Sequence, residues 1–161
     1  MASALVVYFS RTGYTARVAR EIAGRCGADI EPIDERGSRV GVFGYLRSLR
    51  EALGKAIVEV QPANHDPANY DLLILGTPVW AGHVCSPLRS YVSLHKRWLA
   101  RIAVFCTEGG SGGERVAAEI AELVGHAPLA TLVVTDREIQ NATYGPKLES
   151  FARALPPGAS A

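Results

Sequence analysis

Two short polar stretches each follow directly after an apolar run, and they contain the residue types best suited to binding chemistry. The backbone N–H groups at a helix start have no partners within the helix, and the helix dipole adds partial positive charge there. In the first stretch, the hydroxyls of Ser10, Thr12 and Thr15 can donate further hydrogen bonds. Gly13 lets the backbone turn closely around a ligand without a Cβ clash. This arrangement suits a dianionic phosphate. The first stretch consists of Ser10, Arg11, Thr12, Gly13, Tyr14 and Thr15.

A plain helix N-cap is the alternative for this first stretch, because Ser or Thr commonly precedes a helix without any ligand. The stretch is not a Walker loop, since the lysine of Gly-x-x-x-x-Gly-Lys-Ser/Thr is absent. It also lacks the three glycines of the dinucleotide-binding fingerprint. Both the phosphate site and the plain N-cap therefore remain open on these residues alone.

The second stretch places a tryptophan after another apolar run. An indole is costly to expose, so Trp80 should cover either the core or a planar ligand. Small neighbours at 81 and 82 would let a ring approach the backbone. A phosphate site and a flat aromatic side chain in one crevice suggest a phosphorylated, planar ligand. The second stretch consists of Thr77, Pro78, Val79, Trp80, Ala81 and Gly82.

A third, glycine-rich stretch spans residues 107–113 and offers backbone N–H groups with little side-chain bulk. Taken alone it is an ordinary flexible connection. Beside the other two stretches it becomes a candidate for hydrogen-bonding the polar edge of a heterocycle. Its first four residues are Thr107, Glu108, Gly109 and Gly110.

The elements that must position these stretches alternate between β-type apolar runs and segments with helical periodicity. Continuous apolar runs predict buried parallel strands, and parallel crossovers require helices on both faces. We therefore expect an α/β fold, a three-layer, doubly wound, five-stranded parallel sheet with ligands at the carboxyl ends of its strands. The predicted strands span 5–9, 29–33, 72–76, 102–106 and 129–134, and the predicted helices span 16–26, 87–95, 114–124 and 146–155.

These three stretches resemble the cofactor-binding loops of flavodoxins, in order and spacing over nearly the whole chain. The resemblance implies strand order 2-1-3-4-5 and FMN as the noncovalent cofactor. It implies that residues 10–15 bind the FMN phosphate, that Trp80 stacks on the isoalloxazine ring, and that residues 107–110 contact the flavin edge. On this basis all six residues of the first stretch, all six of the second and the first four of the third are predicted to bind the cofactor, and no catalytic residue is predicted.

Two departures from flavodoxins affect the predicted role. Electron-shuttling flavodoxins are typically strongly acidic, whereas this chain has a net charge of +1. Many also place a tyrosine over the second flavin face, and none occurs between residues 107 and 113. We expect a flavodoxin-like redox protein that exchanges electrons with partner proteins. The alternatives are an FMN-dependent NAD(P)H:quinone oxidoreductase, with small quinone and nicotinamide substrates, and a regulatory module without flavin.

The composition narrows the remaining classes. At 161 residues the chain is long enough for one domain, predicted over 1–155 with a frayed tail at 156–161. Near-neutral charge argues against nucleic acid as a partner, and no apolar run is long enough for a membrane span. The start of the chain lacks the basic region of a signal peptide, and three scattered cysteines favour free thiols. We therefore expect a cytoplasmic protein, and the scattered histidines predict no metal site.

Four further features carry open interpretations. The basic segment 36–55 is either a solvated helix face or a docking surface for an anionic partner or for the phosphates of a nucleotide. His83 could reach a flavin edge or lie on the surface. The thiols of Cys85 and Cys106 could react, but small buried cysteines are the ordinary case. Tyr144 could fold over the site or serve as a turn residue.

Overall fold

The computed structural model describes residues 3–34 and 63–156. The basic segment 36–55 and residues 157–161 of the predicted tail lie outside the described residues. The strands are β1 (Ala4–Tyr8), β2 (Asp29–Pro32), β3 (Leu72–Trp80), β4 (His83–Val84), β5 (Ile102–Glu108) and β6 (Thr131–Thr135). The helices are α1 (Tyr14–Cys26), α2 (Ser86–His95), α3 (Gly113–Val124), α4 (Asp136–Gln140) and α5 (Gly145–Ala154), with 3₁₀ turns at Pro67–Asn69 and Lys96–Trp98.

Five strands form one parallel sheet in the order β2-β1-β3-β5-β6. This is the predicted order 2-1-3-4-5, because the two-residue β4 lies off this path and pairs antiparallel with β3. The predicted fold class is therefore confirmed. The division into a domain over 1–155 and a tail stays a prediction.

The core forms two clusters, one on each face of the sheet. Side chains of β1 alternate between them, so that Leu5 belongs to one cluster and Val6 to the other. On the first face the sheet packs against α2 and α3, which contribute Leu88 and Ile120. On the second face Ile22 and the rest of the apolar stripe of α1 pack beside α5. Burial on both faces explains why the strands read as continuous apolar runs rather than alternating ones.

The segment predicted as the loop 77–82 is mostly strand, which corrects the boundary at residue 76. Thr77 and Pro78 continue the pairing of β3 with β5, opposite Cys106 and Thr107. The last two residues of β3 then pair with β4, so that Trp80 stands opposite His83. The reversal takes place at residues 81 and 82, which have φ values of 50° and 75°. Pairing of residues 77 and 78 with β5, which is distant in the chain, is not revealed by the local pattern.

Helix α4 is an element that the sequence analysis missed. It begins directly after β6 and is stabilised by a capping box, in which the Thr135 hydroxyl accepts from the Glu138 N–H and the Glu138 carboxylate accepts from the Thr135 N–H. The pattern Thr-x-x-Glu is a recognised helix-start signal, so this helix was detectable in the sequence. Among the described helices, none is long and apolar enough to cross a membrane.

Candidate functional site

A cavity of about 330 Å³ lies at the carboxyl ends of the central strands. All three predicted stretches reach it, because the ends of parallel strands meet at one edge of the sheet. Every lining residue except Asp136 belongs to the predicted set. The lining residues are Arg11, Thr12, Tyr14, Thr15, Pro78, Val79, Trp80, Thr107, Gly109 and Asp136.

The first stretch presents an uncapped helix start to the cavity. Gly13 is the N-cap of α1 with a φ of 98°, in the left-handed region, and no side chain caps the first turn. The hydroxyl of Ser10 instead accepts a hydrogen bond from the Gly13 N–H at 3.1 Å, which shapes the loop from outside the lining. The N–H groups of the first turn and the exposed hydroxyl of Thr12 therefore remain available to an anion.

A buried hydrogen bond joins the first stretch to the third. The hydroxyl oxygens of Thr15 and Thr107 lie 2.7 Å apart, and both side chains line the cavity. Thr15 is in the first turn of α1, and Thr107 is near the end of β5. This bond sets the distance between the helix start and the glycine-rich loop.

Trp80 packs in the core and also lines the cavity. Its side chain is only 7% exposed. The Phe9 ring meets it edge-on, with centroids 5.5 Å apart and planes at 85°. This contact comes from the end of β1 and fixes the orientation of the indole at the cavity.

The third stretch reaches the cavity through Thr107 and Gly109, whereas the Glu108 side chain points elsewhere. Its carboxylate accepts a hydrogen bond from the Gly113 N–H at 2.7 Å and closes the loop onto α3. Gly112 has a φ of 110°, and a Cβ there would lie 3.0 Å from Cγ1 of Val79. Glycine at this position thus permits the close approach of the loop and the β3–β4 hairpin.

Asp136 is the lining residue that sequence reasoning missed. It is half-buried at the first position of α4, and its Oδ2 lies 3.7 Å from where a Cβ on Gly109 would be. Burial, and next the charge of Glu108, raise the pKa of its carboxyl group. In the sequence Asp136 looks like any acidic residue in the first turn of a helix, so only the proximity of α4 to the glycine-rich loop reveals it.

The other predicted residues shape the site from outside the lining. Thr77 is fully buried, and its hydroxyl accepts from the Cys85 N–H at 3.2 Å and donates to the Pro78 carbonyl at 2.8 Å. Ala81 and Gly82 form the hairpin turn, and Gly110 is an exposed residue of the third loop.

The remaining candidates lie away from the cavity lining. Tyr144 is buried in the second core cluster, where its hydroxyl donates to Glu21, and does not fold over the site. Burial raises the pKa of the Cys106 thiol to about 12, which keeps it protonated and unreactive. His83 contacts Glu119. Within residues 3–34 and 63–156, no three His, Cys, Asp or Glu side chains are placed to hold a metal ion.

Several solved structures share this architecture at low sequence identity. A flavoprotein from Lactobacillus acidophilus, solved in complex with FMN, is 22% identical over 88% of this chain and 98% of its own, with a TM-score of 0.73. A protein described as a flavoprotein from Bacteroides eggerthii is 21% identical over 94% and 99%, with a TM-score of 0.74. The fold is flavodoxin-like.

A flavodoxin, WrbA-like protein from Agrobacterium tumefaciens is more distant, at 17% identity over 95% of this chain and 98% of its own, with a TM-score of 0.52. No protein-family model matches the sequence, and no curated protein does. The likeness at these identities therefore establishes the flavodoxin-like fold.

Proposed function

We propose that this protein binds FMN in the cavity and transfers electrons through it. The observation that carries the proposal is one cavity in which the uncapped start of α1 and the Trp80 indole both take part. The first feature suits a phosphate and the second a planar ring. The structural relative solved in complex with FMN supports the same ligand.

The residues present fit this cofactor. The first turn of α1 and the hydroxyls of Thr12 and Thr15 would hold the phosphate, with charge-assisted hydrogen bonds of about 1.5–3 kcal/mol each. Trp80 would pack on the ring, and the backbone at Gly109 would meet the ring's polar edge. The cavity volume of about 330 Å³ falls within the range common for small-molecule sites, about 300–1,000 Å³.

When bound, FMN would supply the one- and two-electron chemistry that side chains lack. The protein's contribution is orientation and exclusion of water. The Thr15–Thr107 bond and the Phe9–Trp80 contact would hold the two ends of the site at a set separation. The leading role is that of a carrier between protein partners, as the resemblance to flavodoxins implies. Its free, buried cysteines suit a reducing cytoplasm.

An FMN-dependent NAD(P)H:quinone oxidoreductase is the second candidate, favoured by the composition of the cavity. The aromatic side chains among its described lining residues are Tyr14 and Trp80, and the third stretch contributes only Thr107 and Gly109. The third stretch contributes no aromatic side chain to cover the second flavin face, so we propose that this face would be open to a small planar substrate. This is the feature that a carrier would not need.

Titration of the apoprotein with FMN tests the proposal. We expect flavin fluorescence to be quenched and the protein to turn yellow, with riboflavin binding far more weakly because it lacks the phosphate. Trp80→Leu should weaken binding and restore fluorescence, whereas Trp98→Phe, at the other, 42% exposed tryptophan, should not. A folded wild-type protein that takes up no FMN would reject the proposal and favour a module without flavin.

Steady-state turnover separates the two redox roles. Rapid oxidation of NADH or NADPH with a quinone, without an added reductase, would support the oxidoreductase. No turnover in that assay, combined with reduction by a ferredoxin–NADP reductase, would support the carrier.

A further inference from the structure

A buried ionic network lies behind the β3–β4 hairpin, away from the cavity lining. Oε1 of Glu119 on α3 accepts a hydrogen bond from Arg89 of α2 at 2.5 Å. Oε2 of Glu119 contacts Nδ1 of His83 at 3.2 Å and accepts from the Val84 N–H at 3.3 Å. The side chains of Arg89 and Glu119 are only 4% and 9% exposed.

The ion pair of Arg89 and Glu119 makes hydrogen bonds to the backbone of β4, as a neighbouring strand would. Arg89 also donates to the Val84 carbonyl at 3.3 Å, so the N–H and the carbonyl of Val84 are both satisfied by the pair. Strand β4 has only two residues, and so short a hairpin is marginal without outside contacts. The network therefore attaches the hairpin to α2 and α3.

Glu119 is held in its charged form. Although burial pushes its pKa upward, the hydrogen bond and charge of Arg89, with the Val84 N–H and His83, lower the pKa below its ordinary value. Burying such a pair commonly contributes little net stability compared with apolar residues of the same size. Its effect here is to direct β4, since the Glu119 carboxylate contacts His83 and Val84 of the hairpin as well as Arg89.

The hairpin in turn positions both sides of the cavity. Trp80 stands opposite His83 in the β3–β4 pairing. A Cβ on Gly112 would lie 3.0 Å from Cγ1 of Val79 and 3.2 Å from Cα of Gly82. A displacement of the hairpin would therefore move the indole and disturb the glycine-rich loop together.

We propose that Glu119, acting through Arg89, His83 and the backbone of Val84, is a positioning residue that holds Trp80 in place for the cofactor ring. The inference rests on the proposed function, because it assigns the indole to the cofactor. It does not require Glu119 to touch the ligand.

The test uses the full chain with Trp98→Phe as the parent, so that Trp80 is the sole tryptophan. The double variant Arg89→Met, Glu119→Leu removes both charges of the ion pair, so neither partner is left as a buried charge on its own. Glu122→Gln is the control, since Glu122 is exposed on the same helix and lines the same small polar cleft as His83 and Glu119. The readouts are acrylamide quenching of Trp80 without cofactor, FMN affinity, and visible circular dichroism of bound FMN.

We expect the double variant to keep the parent's far-ultraviolet spectrum, to expose Trp80 to acrylamide, and to bind FMN about tenfold more weakly. The control variant should match the parent in all three readouts. A folded double variant with parental Trp80 quenching overturns the inference, as does one whose Trp80 moves while FMN affinity and the flavin spectrum stay parental.

Glu119→Asp keeps the charge and shortens the side chain, and serves if the double variant does not fold. It should change Trp80 quenching and FMN affinity in the same direction by a smaller factor, and parental values in both would overturn the inference. If the parent itself takes up no FMN, the proposed function fails. The quenching measurement would then still show whether Glu119 holds Trp80.

Discussion

At the scale of single residues, the cavity is held together by a hydrogen bond between two of its own lining side chains, Thr15 and Thr107. Thr15 is 2% exposed, and Thr107 is 4% exposed, so their shared hydrogen bond is shielded from water. A buried hydroxyl that loses its partner costs about 1–3 kcal/mol, whereas removing both partners is nearly neutral. Stability and binding can therefore be separated at this pair.

Thr15→Val should lower the free energy of unfolding by about 1–3 kcal/mol, because it leaves the Thr107 hydroxyl unpaired. Adding Thr107→Val should restore most of that stability. FMN affinity should stay low in both variants, since the Thr15 hydroxyl is lost in each. Chemical denaturation and flavin titration of the two variants provide the measurements. Full recovery of FMN affinity in the double variant would show that Thr15 only supports the fold.

At the scale of elements, α4 carries two carboxyl groups within one turn, one with a raised pKa and the other with a lowered pKa. Asp136 lines the cavity, and burial, followed by the charge of Glu108, raises the pKa of its carboxyl group. Glu138 lies at the third position of α4. Its hydrogen bond with Lys147, followed by that from the Thr135 N–H, lowers its pKa. The two groups should therefore affect stability in opposite directions as the pH changes.

Asp136→Asn should stabilise the protein at neutral pH. With a raised native pKa, Asp136 keeps its proton longer in the folded state, so its presence lowers stability as pH rises above the ordinary value of 3.8. The gain in the variant should appear above that pH and vanish below it. Urea unfolding curves over a pH series provide the measurement.

Glu138→Gln should behave in the opposite way. With a lowered native pKa, Glu138 contributes stability above its ordinary value of 4.5, and this contribution is lost as pH falls through the native pKa. The variant should be less stable than wild type at neutral pH and equal to it in acid. A variant at either position whose stability difference does not change with pH would contradict the assignment.

Packing between β3 and β5 gives a third prediction at this scale. Gly76 stands opposite Phe105, and a Cβ on Gly76 would lie 2.0 Å from Cζ of the ring. Gly76→Ala should therefore destabilise the protein by about 1–3 kcal/mol or more through overpacking. Gly24→Ala is the control, since Gly24 lies in α1 with nothing within 4 Å, and it should stabilise by about 0.5–1 kcal/mol. Thermal melts of both variants would check the contrast.

At the scale of the whole molecule, a ligand that binds only the folded state raises its stability by mass action. FMN at about one hundred times its dissociation constant should add about 2.7 kcal/mol. For a chain of this size, that corresponds to a rise in Tm of roughly 5–10 °C. Riboflavin at the same concentration should produce a much smaller rise, because the start of α1 would have no phosphate to bind. Equal shifts with the two compounds would place the binding energy on the ring rather than on the first stretch.

Much of this architecture follows from local patterns. Continuous apolar runs and helical periodicity predicted the parallel sheet, whereas its strand order came from the resemblance to flavodoxins. The three stretches that follow strands, together with that resemblance, supplied nine of the ten lining residues of the cavity. Such signals are local, because strand burial and helix starts depend on the types and spacing of neighbouring residues. The Thr-x-x-Glu pattern that begins α4 is an equally local signal.

Other features depend on pairing between distant segments, which no local pattern encodes. The extension of β3 through Pro78 required a register with the distant β5. The entry of Asp136 into the cavity depended on where α4 meets the glycine-rich loop. The sequence itself thus shows the residue types suited to a phosphate and a planar ring. The contacts that hold these residues in place form only when distant strands and helices pack together.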